Sequence, residues 1–263
     1  MSQDRNALEN LFNPESVAVI GASAKEGSIG YSLIQNLLAS GYAGKILPLN
    51  PKYPDILGVK CWSGIEALPQ APGLTIVAVP AEAVSRVVEK ACLAGGRMFV
   101  IISSGFDEVG RHDLTHDLKE VLKKHRARAL GPNVFGVFSA KAGMNATFGP
   151  QEIRAGNVGL ISQSGALGVA LMGKSVTDSI GLSAVVSVGN EADITEAEAL
   201  EYLGNDESTK VILMYMEGCR NGRHFLDVAT GVSRKKPIVI IKSGSSARGA
   251  LAAASHTGSL AGS

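Results

Sequence analysis

The sequence predicts an α/β protein built of two consecutive open parallel sheets. Short runs rich in Val and Ile recur along the 263 residues with helix-length segments between them. These runs are continuously apolar instead of alternating, as strands covered on both faces require. The pattern lapses once, over 141–156, into Gly, Asn, Thr and Pro and then resumes. This predicts a first domain over 1–140, a linker over 141–156 and a second domain over 157–263.

In the first domain the expected strands are 17–20, 45–49, 75–79, 98–102 and 128–130. Helices are expected over 31–40, 83–94 and 113–125, where apolar residues fall three and four apart. Each connection is long enough for a right-handed crossover. The second series has expected strands at 157–161, 182–188, 211–216 and 237–241, with helices near 166–176, 195–203 and 223–233. No short-period repeat of a solenoid kind is present.

Composition narrows the function classes. Lys plus Arg is 25 and Asp plus Glu 24, a net charge of +1, which gives no electrostatic case for a nucleic-acid or anionic-membrane partner. Cys61, Cys92 and Cys219 are odd in number and have no C-x-x-C spacing, which argues against a disulfide framework or a structural zinc. No apolar run reaches membrane-spanning length and the polar start, residues 1–6, is unlike a signal peptide, so the expectation is a soluble cytoplasmic protein. The 31 glycines, well above usual usage, imply many tight turns and close backbone approaches.

Five places carry chemistry. The first strand runs into Gly21-Ala22-Ser23-Ala24-Lys25-Glu26-Gly27-Ser28-Ile29-Gly30 and then a helix, an arrangement that turns backbone N–H groups toward a phosphate, although its spacing departs from G-x-G-x-x-G. The second strand ends in Asn50-Pro51-Lys52, with a cation where a nicotinamide enzyme would place an acid. That suits a phosphorylated ribose and also leaves NADP open. Val79-Pro80 and Ser103-Ser104 stand at two further strand ends that line the crevice of such sheets.

In the second domain Ile161-Ser162-Gln163-Ser164-Gly165-Ala166 repeats the strand, small polar loop and helix, an anion seat at a helix start. A nucleophile elbow would need glycine where Ser162 stands, and a plain helix cap at Ser164 is the other reading. Near the C-terminus His256 lies among small residues. A loop histidine can accept an acyl or phosphoryl group if a carboxylate orients it, and Glu217, at the end of a neighbouring expected strand, is the candidate. His112 and His116 have metal-compatible i, i+4 spacing but lack the glutamate of H-E-x-x-H and read as a solvated face, and no metal ligand is assigned.

The ordered blocks GASAKEGSIG, ILPLNPK, GVKCW, VAVPAEAV, VIISSGF, LGPN, NATF, ISQSGA, SVGNEADI, YMEG and SHTGSLAGS resemble the nucleoside-diphosphate-forming acyl-CoA synthetases, typified by ADP-forming acetate–CoA ligase and related more distantly to the succinyl-CoA synthetase α subunit. The resemblance implies a Rossmann-like CoA-binding domain followed by a flavodoxin-like ligase domain, C-terminally incomplete here because the chain stops seven residues after His256. It implies that Gly21, Ser23, Ser28, Ile29 and Gly30 surround the CoA nucleotide phosphates and that Lys52 meets the 3′-phosphate or the diphosphate. Val79, Pro80, Ser104 and Asn133 would line the pantetheine track.

By the same resemblance His256 becomes phosphorylated, Glu217 orients it, and Ser164, Gly165 and Ala166 receive the phosphate. Coenzyme A is the implied cofactor, with a small carboxylic acid and phosphate as the other reactants. Mg and ADP or ATP would belong to an ATP-grasp β subunit or fused β-like domain, in an oligomer. Many relatives read G-P-N-C where this chain has Gly131-Pro132-Asn133-Val134, which removes any role for a cysteine there. Two other readings are a CoA-sensing module, whose members generally lack the histidine, and an NADP oxidoreductase, for which no Tyr-x-x-x-Lys pair is evident.

Overall fold

The computed structural model describes residues 8–244. His256 and the residues after it lie outside the described residues. The first sheet is parallel and five-stranded, in the order β2-β1-β5-β6-β7. Its strands are β1 (Ser16–Ile20), β2 (Lys45–Leu49), β5 (Leu74–Val77), β6 (Met98–Ile101) and β7 (Arg128–Leu130). A small antiparallel hairpin, β3 (Asp55–Ile56) with β4 (Val59–Lys60), follows β2. Every residue of β5 and β6 is buried, which is what their unbroken apolar runs require. Pro48 sits in β2, an edge strand, where its missing N–H costs least.

Helices α1 (Ile29–Ala39), α2 (Ala81–Leu93) and α3 (His112–His125) cover this sheet. Leu33, Ile34 and Leu37 of α1 are fully buried, each contributing about 1.5–3 kcal/mol of apolar burial.

The second sheet departs from the all-parallel expectation. Its order is β13-β12-β10-β11-β8-β9, from β8 (Gly136–Ser139), β9 (Met144–Thr147), β10 (Ala155–Ser162), β11 (Leu182–Ser187), β12 (Val211–Met216) and β13 (Ile238–Lys242). β10 to β13 are parallel, but β8 runs antiparallel to β11 and β9 antiparallel to β8. The sheet is therefore mixed. Helices α4 (Gly165–Thr177), α5 (Glu196–Asn205) and α6 (Gly222–Ser233) complete the second layer set.

The stretch expected as a linker is built structure. It contains β9 and the start of β10, and β9 packs on α1 of the first unit. The buried Asn36 of α1 donates from Nδ2 to the carbonyls of Thr147 (2.8 Å) and Gly149 (3.0 Å), and Ser40 Oγ accepts from the Asn145 N–H. Four-residue strands rich in Gly, Asn and Thr carry too little periodicity to stand out in a sequence, and tertiary pairing forms them.

The two sheets are joined at one corner as well. The 192–194 backbone runs along β7, with Ile194 N–H donating to Ala129 O (3.1 Å) and Ala192 N–H to Gly131 O (2.9 Å). Arg128 Nε donates to both carboxylate oxygens of Asp193 (3.1 and 2.9 Å), its Nη2 to Glu198 (2.7 Å), and Asp193 also accepts the Ala129 N–H (2.8 Å). Burial opposes the Arg128 charge, but the hydrogen bonds and charges of Asp193 and Glu198 outweigh it and hold its pKa above the ordinary value.

Candidate functional site

At the C-terminal end of β1 the chain turns through Gly21, at φ +91°, and enters α1. A Cβ on Gly21 would strike the Ala78 carbonyl, and one on Gly30 would strike the Gly21 carbonyl, so both glycines keep the turn closed against its neighbours. Ser28 caps α1. Its hydroxyl donates to Lys25 O (2.6 Å) and accepts from Tyr31 N–H (3.3 Å), while Ser23 Oγ accepts from Lys25 N–H (3.0 Å). Residues 24–27 and Ile29 are exposed, leaving the helix start open to an anionic ligand.

The other strand ends assemble beside it. Asn50 Nδ2 donates to Ala22 O (2.8 Å) and its Oδ1 accepts Lys52 N–H (3.0 Å), placing the exposed Lys52 next to the glycine turn. Ser103 Oγ donates to Val79 O (2.5 Å), which fixes the Val79-Pro80 corner ahead of α2, and Pro80 and Ser104 are exposed at this rim. Asn133 adopts φ +62°, its N–H donates to Ser103 O (2.9 Å), and its Nδ2 donates to Asn190 Oδ1 (3.2 Å) in the loop after β11. The expected ligand track of the first sheet thus ends in contact with the second.

Asn190 is the joint. Its Nδ2 also donates to Glu108 Oε2, its carbonyl accepts Arg220 Nη2 (3.0 Å), and Arg220 lies 3.7 Å from Asp107. Gly189 beside it has φ +55°, and a Cβ there would strike the Pro132 and Asn133 carbonyls. Two loops, 131–134 and 189–194, therefore meet so closely that position 189 has no room for a side chain.

In the second sheet Ser164 caps α4, accepting from Leu167 N–H (3.4 Å), and the buried Ser162 hydroxyl donates to Ser164 O (2.7 Å). Gly165 and Ala166 form the first turn, where N–H groups point out along the helix axis. Glu217, buried, follows β12, and its carbonyl accepts Lys242 Nζ (2.9 Å) from the end of β13. Ser164 to Ala166 and Glu217 thus stand at the ends of adjacent strands. His256, the expected partner of Glu217, lies outside the described residues.

Sequence reasoning assigned no role to the groups beneath this site. Gln163 binds the 217–218 backbone on one side and Glu191 on the other. Glu191 and Glu196 are both buried. Burial first, then the hydrogen bond and charge of Glu196, push the Glu191 carboxyl well above the usual carboxylate range. Its environment thus favours the protonated form of the Glu191 carboxyl. Burial, then Glu196, likewise push the Cys219 thiol up to about 12, so it stays protonated and is no nucleophile at neutral pH. The only forward signal was the polar cluster in SVGNEADI. Among the described residues no group of three or more His, Cys, Asp or Glu is placed to hold a metal, and no helix is long and apolar enough to cross a membrane.

A glycine turn and a capped helix start beside a buried carboxylate, at the strand ends of two abutting open sheets, place the chain among the α/β proteins whose crevices suit phosphate-bearing ligands. Residues 15–140 match the family model described as a CoA binding domain, and residues 155–263 match the succinyl-CoA ligase like flavodoxin domain. The chain is 52% identical to the acetate–CoA ligase [ADP-forming] I subunit alpha of Pyrococcus furiosus, over 98% of this chain and 57% of that protein. It is 43% identical to the acetate–CoA ligase [ADP-forming] of Methanocaldococcus jannaschii, over 97% of this chain and 36% of the relative. A solved structure of the Ca. Korarchaeum cryptofilum dinucleotide forming acetyl-coenzyme A synthetase 1, in complex with phosphate and ADP, superposes with a TM-score of 0.95 at 46% identity. That match covers 98% of this chain and 56% of the other. The chain belongs to the nucleoside-diphosphate-forming acyl-CoA synthetases, as an α-type region. It spans little more than half the length of the longest-matched relatives and about a third of others.

Proposed function

We propose that this chain is the CoA-binding and phosphohistidine portion of an ADP-forming acetate–CoA ligase type enzyme, working in the cytoplasm. The observation that carries the reading is the junction. The first-sheet loop holding Asn133 touches the second-sheet loop after β11, and that loop adjoins the Ser164 helix start and Glu217. A thioester laid along Val79, Pro80, Ser104 and Asn133 from a nucleotide end at Gly21, Ser23, Ser28, Ile29, Gly30 and Lys52 would arrive at the α4 anion seat. The cradle fits CoA because its walls at Gly21 and Gly30 admit no side chain and its helix start faces outward.

In the ATP-forming direction, a phosphate oxygen bonds to the acyl carbon as the C–S bond breaks, and CoA leaves as the thiol with the proton that phosphate gives up. A His256 ring nitrogen then bonds to phosphorus as the carboxylate departs. The first-turn N–H groups at Gly165 and Ala166, beside the Ser164 cap, stabilise charge on the transferring phosphoryl group, and Glu217 holds the second ring nitrogen of His256. ADP takes the phosphoryl group on an ATP-grasp partner, a β subunit or fused domain, which also holds Mg. The CoA-sensing and NADP readings are disfavoured, since the relatives are acetate–CoA ligases. Calorimetric titration tests the first half of the proposal. CoA should bind and NADP should not, and NADP binding with CoA indifference would overturn it.

A further inference from the structure

Gln163 is the last residue before the Ser164 cap. Its backbone N–H donates to Tyr215 O (3.1 Å), the final rung between β10 and β12. β10 ends at Ser162, and beyond that rung the Gln163 side chain takes over. Its Oε1 accepts the N–H of Glu217 (2.5 Å) and of Gly218 (3.0 Å), and its Nε2 donates to Gly218 O (2.9 Å) and to Glu191 Oε1 (2.8 Å).

Both lone-pair positions and both amide hydrogens are used. The orientation of the amide follows from chemistry, because two backbone N–H groups can only donate, so the oxygen must face them. The side chain therefore acts as a substitute peptide unit. It extends the β10–β12 ladder by one step and locks the Glu217-Gly218 peptide to the residue that precedes the anion seat.

We propose that Gln163 is a positioning residue for Glu217, setting that carboxylate's place relative to the Ser164–Ala166 helix start, with the Glu191/Glu196 pair holding the amide in its working orientation. The proposal rests on the reading of Glu217 and His256 given above. Gln163 itself touches no reacting atom. Its effect passes through the backbone of Glu217, where a displacement of about 1 Å costs on the order of a hundredfold in rate.

The test uses the full chain with acetyl-CoA and inorganic phosphate, following the acid-labile phosphoryl increment by intact mass at short times. Gln163→Met keeps length and loses all four hydrogen bonds. It should accept the phosphoryl group about a hundredfold more slowly, with CoA affinity unchanged because the CoA cradle lies on the other sheet. Amide hydrogen exchange at Glu217 and Gly218 should quicken selectively.

Gln163→Glu supplies the sharper readout. Its carboxylate still accepts from the two N–H groups but has no hydrogen for the Gly218 carbonyl and brings a second carboxyl against Glu191. Glu191 faces it directly, with Glu196 and Cys219 grouped around Glu191 and with Arg220 and Lys242 as the cations that reach Glu191 and the Glu217 carbonyl. Protonating the introduced carboxyl restores the donor. The variant-to-native rate ratio should therefore rise as pH falls from 8 to 6, which a merely structural role would not produce.

A native rate in Gln163→Met, or a pH-independent ratio in Gln163→Glu, overturns the positioning role. A loss of CoA binding in parallel with phosphorylation also overturns it, since that marks general unfolding. A native chain that takes up no phosphoryl group overturns instead the reading of the site on which the proposal stands.

Discussion

Replacing Gly30 by alanine sets helix propensity against a collision. In an open helix position the change would add about 1 kcal/mol of stability. Here the added Cβ overlaps the Gly21 carbonyl and lies 3.0 and 3.1 Å from Ala22 Cα and C. These are backbone atoms of the turn itself, so no side chain can swing aside. Restoring ordinary contact requires the turn to move by roughly 1 Å. A shift of that size forfeits about one charge-assisted hydrogen bond to a bound phosphate, on the order of 2 kcal/mol, or about thirtyfold in Kd.

Calorimetric titration with CoA at fixed salt reads the loss directly. Gly27→Ala is the control, since its Cβ would meet nothing within 4 Å and the substitution carries only the strain of φ +78°, about 1–2 kcal/mol of stability. Unchanged CoA affinity in Gly30→Ala would refute the placement of the nucleotide phosphates at this turn.

Two further substitutions probe what holds the halves together and what lies under the site. Asp193→Ala removes three hydrogen bonds at the β7 corner while leaving Arg128 its bond to Glu198, so it should cost about 2–3 kcal/mol in urea denaturation. A loss below about 0.5 kcal/mol, the level of an ordinary surface change, would contradict a structural role for that pair. Glu191→Gln tests the raised Glu191 carboxyl. The folded chain keeps a proton that the unfolded chain releases above the ordinary value of 4.5. Stability therefore falls as pH rises from there toward the raised folded pKa, at up to about 1.4 kcal/mol per pH unit. The variant should flatten that slope above pH 4.5, and an unchanged slope would place the proton elsewhere.

Much of the architecture was legible because buried parallel strands announce themselves as unbroken apolar runs. β5, β6 and β11 are buried at every residue, and they stand where the Val and Ile runs do. The β8–β9 hairpin was not legible. Its residues read as the tail of one domain and a linker, yet Asn36 and Ser40 bind β9 to α1 across more than a hundred positions of sequence. Local pattern carries no trace of such a contact.

The same division applies to the site. A serine before a helix after an apolar run marks a cap from sequence alone, and Ser164 is one. Gln163, Asn190 and the Glu191/Glu196 pair act only through strands brought together in space, so their roles had no local signature. Glu191 even adopts φ +52°, a conformation no periodicity reveals.

The proposed reaction couples thioester cleavage to phosphorylation of one histidine in this chain. Incubating it with acetyl-CoA and phosphate, and counting free CoA thiol against acid-labile phosphoryl groups on the protein, tests that coupling directly. One thiol should be released per phosphorylated chain, with no phosphoryl increment in His256→Ala. An increment that survives in His256→Ala, or none in the native chain, would contradict that coupling.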